Sequence, residues 1–350
     1  MMKRISLSVF SWFLFLISYA QKQESSDFVI ANGQMPDIAK DKSNTIHIVY
    51  GSADSIMYIS SIDGISFGAA SLVAVLPGLF AYAMRGPQIA ATANGLVVTA
   101  CTKGGNIFSY KKEISGTWSK AVKVNDADET AKEGLMALDA DGVNTYAVWL
   151  GVKNPKGQNV YGAGSVDGGK TWSKNILVYT SPGNTVCECC KPSVAIKDEK
   201  VYVMFRNWLN GNRDMYLIKS ASHGGTFGKA QKLGAGNWKL NGCPMDGGGL
   251  VIDKNGNPET VWRREGKIYA SSPGKPEKEI GEGKNCSMET IYGKNIYAWT
   301  EAGSVMVMKP GGLKINIGKG SLPLLKALNN EQFICVWENE KQIHAKVLVL

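Results

Sequence analysis

Residues Ser165-Val166-Asp167-Gly168-Gly169-Lys170-Thr171-Trp172 follow the pattern Ser-x-Asp-x-Gly-x-Thr-Trp, which is typical of a tight loop between two outer strands of a sheet. Gly168 and Gly169 allow positive φ angles, and Asp167 can accept hydrogen bonds from backbone N–H groups inside the loop. We expect Trp172 to pack back between neighbouring structural units. The stretch therefore predicts repeated β-structure joined by tight loops.

Weaker copies of this loop occur elsewhere in the chain. Ser220 to Phe227 repeats the spacing, Ser61 to Phe67 is one residue short, and Ser115 to Trp118 is a partial copy. Four graded copies favour a repeat architecture over a single chance match. The composition allows this, because 350 residues that are 44% hydrophobic can bury a large core and 40 glycines indicate many turns.

The loop and its copies resemble the Asp-box turns of sialidase-like β-propellers, also called BNR repeats. Short β-rich runs recur with a period of about 40 to 55 residues, as in a propeller. Each unit opens with an apolar strand marked by Pro or Gly and continues with a second strand that often ends in an aromatic residue. Seven openers are present, near Pro36, Pro87, Gly134, Pro192, Gly249, Ser287 and Pro323.

We predict an all-β fold, a β-propeller of four-stranded blades with seven blades preferred. Six blades are the alternative, because sialidases have six and the last two units are irregular. The last unit stops after its third strand at Leu350, and Phe28-Val29-Ile30 would supply the missing outer strand. This N-terminal strand would close the ring and leave no open sheet edge.

The N-terminus has the features of a signal peptide. Lys3-Arg4 form the charged region, Leu7 to Ile17 the apolar region, and Ser18-Tyr19-Ala20 the small-residue cleavage site. We therefore predict a signal peptide over 1–20, a polar lead-in over 21–26 and a single propeller domain over 27–350. The protein is expected to be exported, to the periplasm or the extracellular space. No segment is long enough to predict an integral membrane protein.

The net charge is positive. The chain has 39 basic and 30 acidic residues, and loss of Lys3 and Arg4 changes the charge from +9 to +7 (37 against 30). The excess is nearly all lysine, scattered without arginine-aromatic interleaving, which favours a solvated basic surface over a nucleic-acid site. Attraction to acidic glycans stays open. The oligomeric state is not predicted.

Scarce arginines mark one face of the predicted disc, where inner strands start and second strands end. Arg85, Arg206 and Arg263 are among only six arginines in the chain. Their placement suggests bidentate recognition of an anion such as a carboxylate or sulfate. The alternative is that arginines brace loops, pairing with Asp214 or Glu265.

The resemblance to sialidases implies more specific roles. Met84-Arg85-Gly86-Pro87 resembles the family's Arg-Ile-Pro signature, with Gly86 in place of isoleucine. By this resemblance Arg85, Arg206 and Arg263 would bind a sialic acid carboxylate. Family enzymes use a tyrosine nucleophile, a glutamate that activates it and an aspartate acid/base. The candidates for these catalytic roles are Glu289 with Tyr292, or Glu301 as the glutamate, and Asp246 or Asp37 as the acid. Trp208 could stack on a sugar.

Five cysteines are predicted to gather on the same face. They comprise the motif Cys187-Glu188-Cys189-Cys190 together with Cys243 and Cys286, and the motif resembles a subgroup of exported sialidase-like proteins without an assigned activity. One interpretation is two disulfides, with Cys243 and Cys286 each joined to a member of the motif. The others are a soft metal, copper or zinc, held by thiolates, and a reactive thiol. Cys101 and Cys335 lie in strand patterns and are expected to be buried.

The leading hypothesis is an exported sialidase-like propeller that recognises an acidic carbohydrate, with an exo-acting glycoside hydrolase of the exo-α-sialidase type as its narrower form. The rival is a non-catalytic propeller whose cysteine-rich face binds a metal or a partner across a disulfide-braced surface. A lyase acting on uronic acid polymers through a tyrosine base is a third possibility. Nucleotide, serine-hydrolase and zinc-protease motifs are absent from the sequence.

Overall fold

The structure is a computed structural model that describes residues 24–113, 116–154 and 157–350. The predicted signal peptide and residues 21–23 of the predicted lead-in lie outside these ranges, as does Ser115 of the partial loop copy. The described residues form 28 strands and no helix. A membrane-spanning helix is accordingly not found in this part of the chain.

The strands follow one another with short connections. Strands β1 to β9 span Phe28–Asn32, Gln34–Lys40, Ile46–Ser52, Ser55–Ser61, Ser71–Val75, Gln88–Thr92, Gly95–Cys101, Ile107–Glu113 and Val122–Lys123. Strands β10 to β17 span Met136–Asp141, Asn144–Asn154, Gly157–Ser165, Ile176–Tyr179, Ser193–Lys197, Lys200–Arg206, Met215–Ser220 and Gln231–Lys232. Strands β18 to β21 span Gly248–Ile252, Pro258–Arg264, Lys267–Ser271 and Lys278–Glu282, and β22 to β25 span Lys284–Ile291, Lys294–Glu301, Ser304–Met308 and Lys314–Lys319. Strands β26 to β28 span Ser321–Ala327, Gln332–Asn339 and Gln342–Val349.

These strands form seven four-stranded antiparallel sheets, so the protein is a seven-bladed β-propeller, as predicted. Six blades use consecutive strands, from β2–β5 in blade one to β22–β25 in blade six. Blade seven has the order β26, β27, β28, β1, with Phe28 opposite Ala345. The N-terminal strand thus closes the ring, which satisfies the backbone groups of β28 that would otherwise be an open edge.

The core lies between the blades. Trp149, Trp262, Trp299 and Trp337 end apolar runs on the second strands and are at most 2% exposed. Each ring packs among side chains of the preceding blade as well as its own. An indole that buries about 200 Å² contributes roughly 3–5 kcal/mol of transfer free energy before conformational entropy is subtracted. The aromatic residues at the second-strand ends therefore hold neighbouring blades together.

The Asp-box loop has the geometry expected from its sequence. It joins β12 to β13, and Asp167 accepts hydrogen bonds from the Thr171 amide at 2.9 Å and hydroxyl at 2.6 Å. Trp172 reaches the neighbouring blade, where its indole N–H donates to Ser109 at 2.8 Å. In the copy between β16 and β17, Ser222 takes the aspartate position and accepts from the Thr226 amide at 3.1 Å.

Strand direction gives the disc two different faces. The connections into the first strand of each blade and those from second to third strands lie on one face, which we call the upper face. The Asp-box loops and the hairpins between first and second strands lie on the other, the lower face. The inner strands surround a central channel, in which the carboxylate of Asp37 accepts the Ile89 amide and that of Asp139 accepts the Ile196 amide. Both bonds join inner strands of adjacent blades.

Candidate functional site

The Cys-Glu-Cys-Cys motif lies on the upper face, in the connection from β13 to β14. The Cys187 amide donates to the Arg206 carbonyl at 2.9 Å, and the Lys191 amide donates to the Asp246 carbonyl at 2.9 Å. The first bond ties the motif to the end of β15, and the second ties it to the entrance of blade five. Backbone contacts therefore fix both ends of the motif.

Three sulfur atoms meet in this connection. Cys187 Sγ lies 3.5 Å from Cys190 Sγ and 3.7 Å from Cys189 Sγ, and all three atoms lie within 4.8 Å of one another. Cys189 is joined to Cys243 by a disulfide. We call Cys187, Cys189, Cys190 and Cys243 the cysteine cluster. The first three are at most 5% exposed, whereas Cys243 is exposed.

One of the two predicted disulfide pairings is present. Cys243 pairs with a member of the motif, but Cys286 stays a free thiol. Its strand, β22, directs it into the core between Met288 and Trp299. Cys101 and Cys335 are buried in strands, as predicted. Burial raises the pKa of Cys101 to about 12.

Arginine side chains surround the cluster. Arg213 Nη1 donates to Cys187 Sγ at 3.0 Å. Arg206 donates to the carbonyls of Arg213 at 2.8 Å and Arg263 at 2.9 Å. The Trp238 ring lies against both the Arg206 and the Arg263 guanidinium groups, with centroids 5.0 and 5.3 Å away. These contacts make one network of arginine, thiol and aromatic groups.

Asp246 belongs to the same network. Its side chain is fully buried, accepts the amides of Gly247 and Asn285, and lies 3.6 Å from Arg263. Burial raises its pKa, although the charges of Arg206 and Arg263 oppose the change. This carboxyl group thus lies between the arginines and the entrance to blade six.

The cysteine thiols differ in their ionisation. The hydrogen bond with Cys190 lowers the pKa of Cys187 to about 6; burial opposes this shift, while the charges of Arg213 and Arg206 add to it. Burial raises the pKa of Cys190 well above its usual value, and the neighbouring Cys187 adds to the increase. Ionisation of the pair is therefore favoured at Cys187 and disfavoured at Cys190.

Several buried polar atoms in this network have no hydrogen-bond partner within the described protein. They are Nε of Arg206, Oδ1 of Asn207, Oδ2 of Asp246 and Nε of Arg263. Buried polar groups in native proteins are nearly always paired with protein groups or with ordered water, so these atoms add to the polarity of the network.

The structure separates the three predicted anion-binding arginines. Arg206 and Arg263 belong to the network around the cysteines, whereas Arg85 binds the backbone carbonyl and carboxylate of Glu133 and the carbonyl of Ala83. All three guanidinium groups have protein acceptors. These contacts favour the alternative interpretation, in which the arginines brace loops. Their partners, however, are not the predicted Asp214 and Glu265.

The predicted catalytic residues lie at different depths of the disc. Asp246 is at the upper face, beside the start of β22, while Glu289 lines the channel and pairs with Lys326 at 3.2 Å. Tyr292 is in the hairpin that follows β22, on the lower face, and is 64% exposed. Measured along β22, Tyr292 is roughly 20 Å from the start of the strand, which lies beside Asp246. The structure does not bring these three side chains together.

Other predicted residues keep local roles. Glu301 accepts the Trp299 indole N–H at 3.0 Å, and Asp37 lies in the channel, where burial raises its pKa. Trp208 is half-buried beside the cluster, with the Arg213 guanidinium 4.6 Å from its ring centroid. One face of this indole is therefore covered by arginine.

The channel opens at the upper face into a cavity of about 220 Å³. Gln88, Lys191, Ser193 and Asn285 are among its lining residues, and Lys191 Nζ donates to Gln88 Oε1 at 2.8 Å. Burial lowers the pKa of Lys191, and the nearby carboxylate of Asp37 opposes this change. We call this cavity the channel mouth; it adjoins the cluster, because Lys191 directly follows Cys190.

Sequence reasoning did not select some of these residues as site candidates. Trp238 and Arg213 complete the network, and Gln88 and Asn285 shape the channel mouth. Arg213 carried a signal, since a scarce arginine follows Arg206 by seven positions. Gln88 and Asn285 carry none, because an amide side chain in a strand or loop is unremarkable in sequence.

Solved structures with a similar fold include several carbohydrate-active proteins. The BP39L lectin from Burkholderia pseudomallei superimposes with a TM-score of 0.66 at 9% identity, covering 91% of this chain and 96% of the lectin. An α-L-arabinofuranosidase from Fusarium graminearum gives 0.54 at 11% identity, covering 93% and 98%. An ulvan lyase bound to -[GlcA(1-4)Rha3S]- gives 0.52 at 9% identity, covering 94% and 96%. At these identities the likeness shows the propeller fold alone.

No protein-family model and no curated protein sequence matches the chain.

Proposed function

We propose that this protein is an exported propeller that binds an acidic carbohydrate at the channel mouth. The observation that carries the proposal is Lys191, a half-buried lysine that lines the cavity at the end of the channel. An ammonium group has three N–H donors, and one of them is used by Gln88. Two donors are left for the carboxylate or sulfate of a ligand.

The cavity chemistry supports an anionic sugar. Ser193 and Asn285 add uncharged polar groups to the wall, and Met84 adds an apolar surface. A sugar ring presents the complementary combination of hydroxyl groups and C–H faces. An anion beside Lys191 would also favour its charged form, offsetting the effect of burial. The lectin and ulvan lyase show that propellers of this kind accommodate glycans, including one with glucuronate and sulfate.

The narrower hypothesis is an exo-acting glycoside hydrolase of the exo-α-sialidase type. It requires Arg85, Arg206 and Arg263 to bind one carboxylate, and Glu289, Tyr292 and Asp246 to act on one bond. Their placement favours binding without turnover. We expect the wild-type protein to release no free sugar from a sialoside. If the wild type does release sugar and the Arg85→Ala variant does not, the hydrolase hypothesis would be supported instead.

Glycan binding is tested by calorimetry with three ligands: an oligosaccharide of glucuronate and rhamnose 3-sulfate, sialyllactose, and neutral lactose. We expect the acidic ligands to bind and lactose not to bind. Lys191→Met should weaken binding by about tenfold to hundredfold, the usual effect of losing a charge-assisted hydrogen bond. Lys254→Met is the matched control, because Lys254 is exposed on the lower face. Equal affinities for both variants and the wild type would refute the site.

A second candidate function is soft-metal binding by Cys187, Cys189 and Cys190. The supporting observation is the convergence of their sulfur atoms within 4.8 Å, a spacing that thiolates around one copper(I) or zinc ion require. Cys189 can take part only after its bond to Cys243 is reduced. The test is elemental analysis of reduced protein dialysed against zinc or copper(I). One equivalent of bound metal in the wild type that is absent from Cys190→Ser would support the site. No bound metal in the wild type would exclude it.

A further inference from the structure

We propose that the Cys189–Cys243 bond is an exchangeable disulfide, which oxidises the thiols of a partner, rather than a permanent brace. The inference concerns the oxidised cluster and goes beyond carbohydrate or metal binding. It rests on three features: the loops are held without the disulfide, only one of its sulfurs is exposed, and the buried sulfur lies in a cationic pocket.

The connections joined by the disulfide have other restraints. The connection that carries Cys189 is held by the backbone bonds of Cys187 to Arg206 and of Lys191 to Asp246. The connection that carries Cys243 is held by the bond from the Arg213 amide to the Trp238 carbonyl and by the contact of Arg263 with the Pro244 carbonyl at 3.3 Å. Reduction of the disulfide therefore leaves both connections attached to the blades.

The two sulfurs differ in access. Cys243 is exposed at the upper face, in the connection from β17 to β18, whereas Cys189 is 5% exposed. Thiol–disulfide exchange proceeds by attack of a thiolate on one sulfur while the other leaves. A partner thiolate can thus reach Cys243, and Cys189 is the sulfur that leaves.

The environment of Cys189 stabilises a leaving thiolate. Its sulfur lies 3.7 Å from Cys187 Sγ, which accepts a hydrogen bond from Arg213, and the Arg206 guanidinium donates to the Arg213 carbonyl. Arg206 and Arg263 each retain an unpaired buried N–H donor in this region. A disulfide becomes a stronger oxidant when its reduced form is stabilised. The arginines therefore favour transfer of the disulfide to a partner.

The reaction balances with a partner that carries two thiols. One partner thiolate attacks Cys243 Sγ, so that a mixed disulfide forms and the Cys189–Cys243 bond breaks. The second partner thiol attacks the mixed disulfide, and Cys243 leaves. The partner is oxidised to a disulfide, and two electrons reduce Cys189 and Cys243. Of the two partner protons, one goes to Cys243 and the other goes to solvent, so that Cys189 is released as a thiolate.

The experiment equilibrates the folded wild-type protein with mixtures of reduced and oxidised glutathione. Free thiols are trapped by acid and alkylation, and the peptides that contain Cys189 and Cys243 are quantified by mass spectrometry. We expect both cysteines to become reduced at millimolar glutathione while the far-ultraviolet spectrum stays native. Structural disulfides resist reduction under these conditions.

Two variants test whether the arginines favour reduction of the disulfide. Arg213→Met should lower the equilibrium constant for reduction about tenfold to hundredfold, because the released Cys189 thiolate loses the guanidinium charge that lies 3.0 Å from the neighbouring Cys187 Sγ. Arg264→Met is the matched control, since the Arg264 charge is paired with both carboxylate oxygens of Glu277 and makes no described contact with a cysteine. The proposal is overturned if the wild-type bond is reduced only when the protein unfolds. It is also overturned if both variants shift the equilibrium equally.

Discussion

Replacement of Asp139 by asparagine should stabilise the protein at neutral pH. Asp139 lies in the central channel, and burial raises its pKa from 3.8 to about 6. A folded-state pKa above the unfolded value means that the folded protein binds more protons between about pH 4 and 6. The stability that this carboxyl group contributes is therefore present below pH 4 and is lost as the pH rises through 6.

The magnitude follows from the shift. A change of about two pKa units corresponds to about 3 kcal/mol. The side chain is partly accessible from a channel cavity of about 420 Å³, where solvent would screen the charge, so we expect a gain of about 1–3 kcal/mol in the free energy of unfolding at pH 7.5. Asparagine can still accept the Ile196 amide that Asp139 accepts at 2.9 Å.

The assay is denaturant unfolding of the wild type and Asp139→Asn at pH 7.5 and near pH 4. The gap between them should be largest at pH 7.5 and close to zero at the lower pH. Asp253→Asn is the control with the opposite sign, because hydrogen bonds from the Asn257 turn lower the pKa of Asp253. An Asp139→Asn protein that is no more stable at pH 7.5, with a gap independent of pH, would refute the reasoning.

Three further results are expected. Arg213→Met should raise the pKa of Cys187 by about one to two units, measured as thiolate absorbance between pH 5 and 8.5; an unchanged midpoint would contradict a charge-assisted contact. Ser222→Asp should increase the unfolding free energy by about 0.5–1.5 kcal/mol, because a carboxylate would make charge-assisted bonds to the Thr226 amide and hydroxyl, as Asp167 does to Thr171, where Ser222 makes uncharged bonds to the same two groups; calorimetry that shows no gain would count against this view of the Asp box. Deletion of residues 24–32 should expose β28 and lead to aggregation, seen by size-exclusion chromatography, whereas a monomer with native thermal stability would show that β1 is dispensable.

Sequence reasoning predicted the ring well because blades repeat. Each opener, such as Pro36 or Pro192, lies within two residues of an inner strand in the structure. The missing strand in the last unit also had a physical basis, since β28 without β1 would leave unpaired backbone groups. Local patterns combined with the need to pair every edge were sufficient for the architecture.

The same reasoning was weaker for the site, because side-chain partners are not visible in sequence. Arg206 could be placed at a strand end, but its acceptors are backbone carbonyls of Arg213 and Arg263, which any residue would supply. Tyr292 did carry a missed signal. It precedes Gly293, and both have positive φ angles of 51° and 72°, as in the two-residue hairpin turns that favour glycine. Because this hairpin joins the first and second strands of blade six, Tyr292 lies on the lower face.

The charges around the cysteines explain why one region supports both proposals. Arg206, Arg213 and Arg263 contribute three positive charges, whereas the acidic groups beside them are Cys187, Asp246, whose pKa burial raises, and Asp214, which pairs with Lys232. Uncompensated buried cations are costly, so the region favours additional negative charge. A Cys189 thiolate released by exchange would supply that charge from inside the protein. An acidic ligand at the adjoining channel mouth would supply it from outside, and the two would compete because they neutralise the same excess.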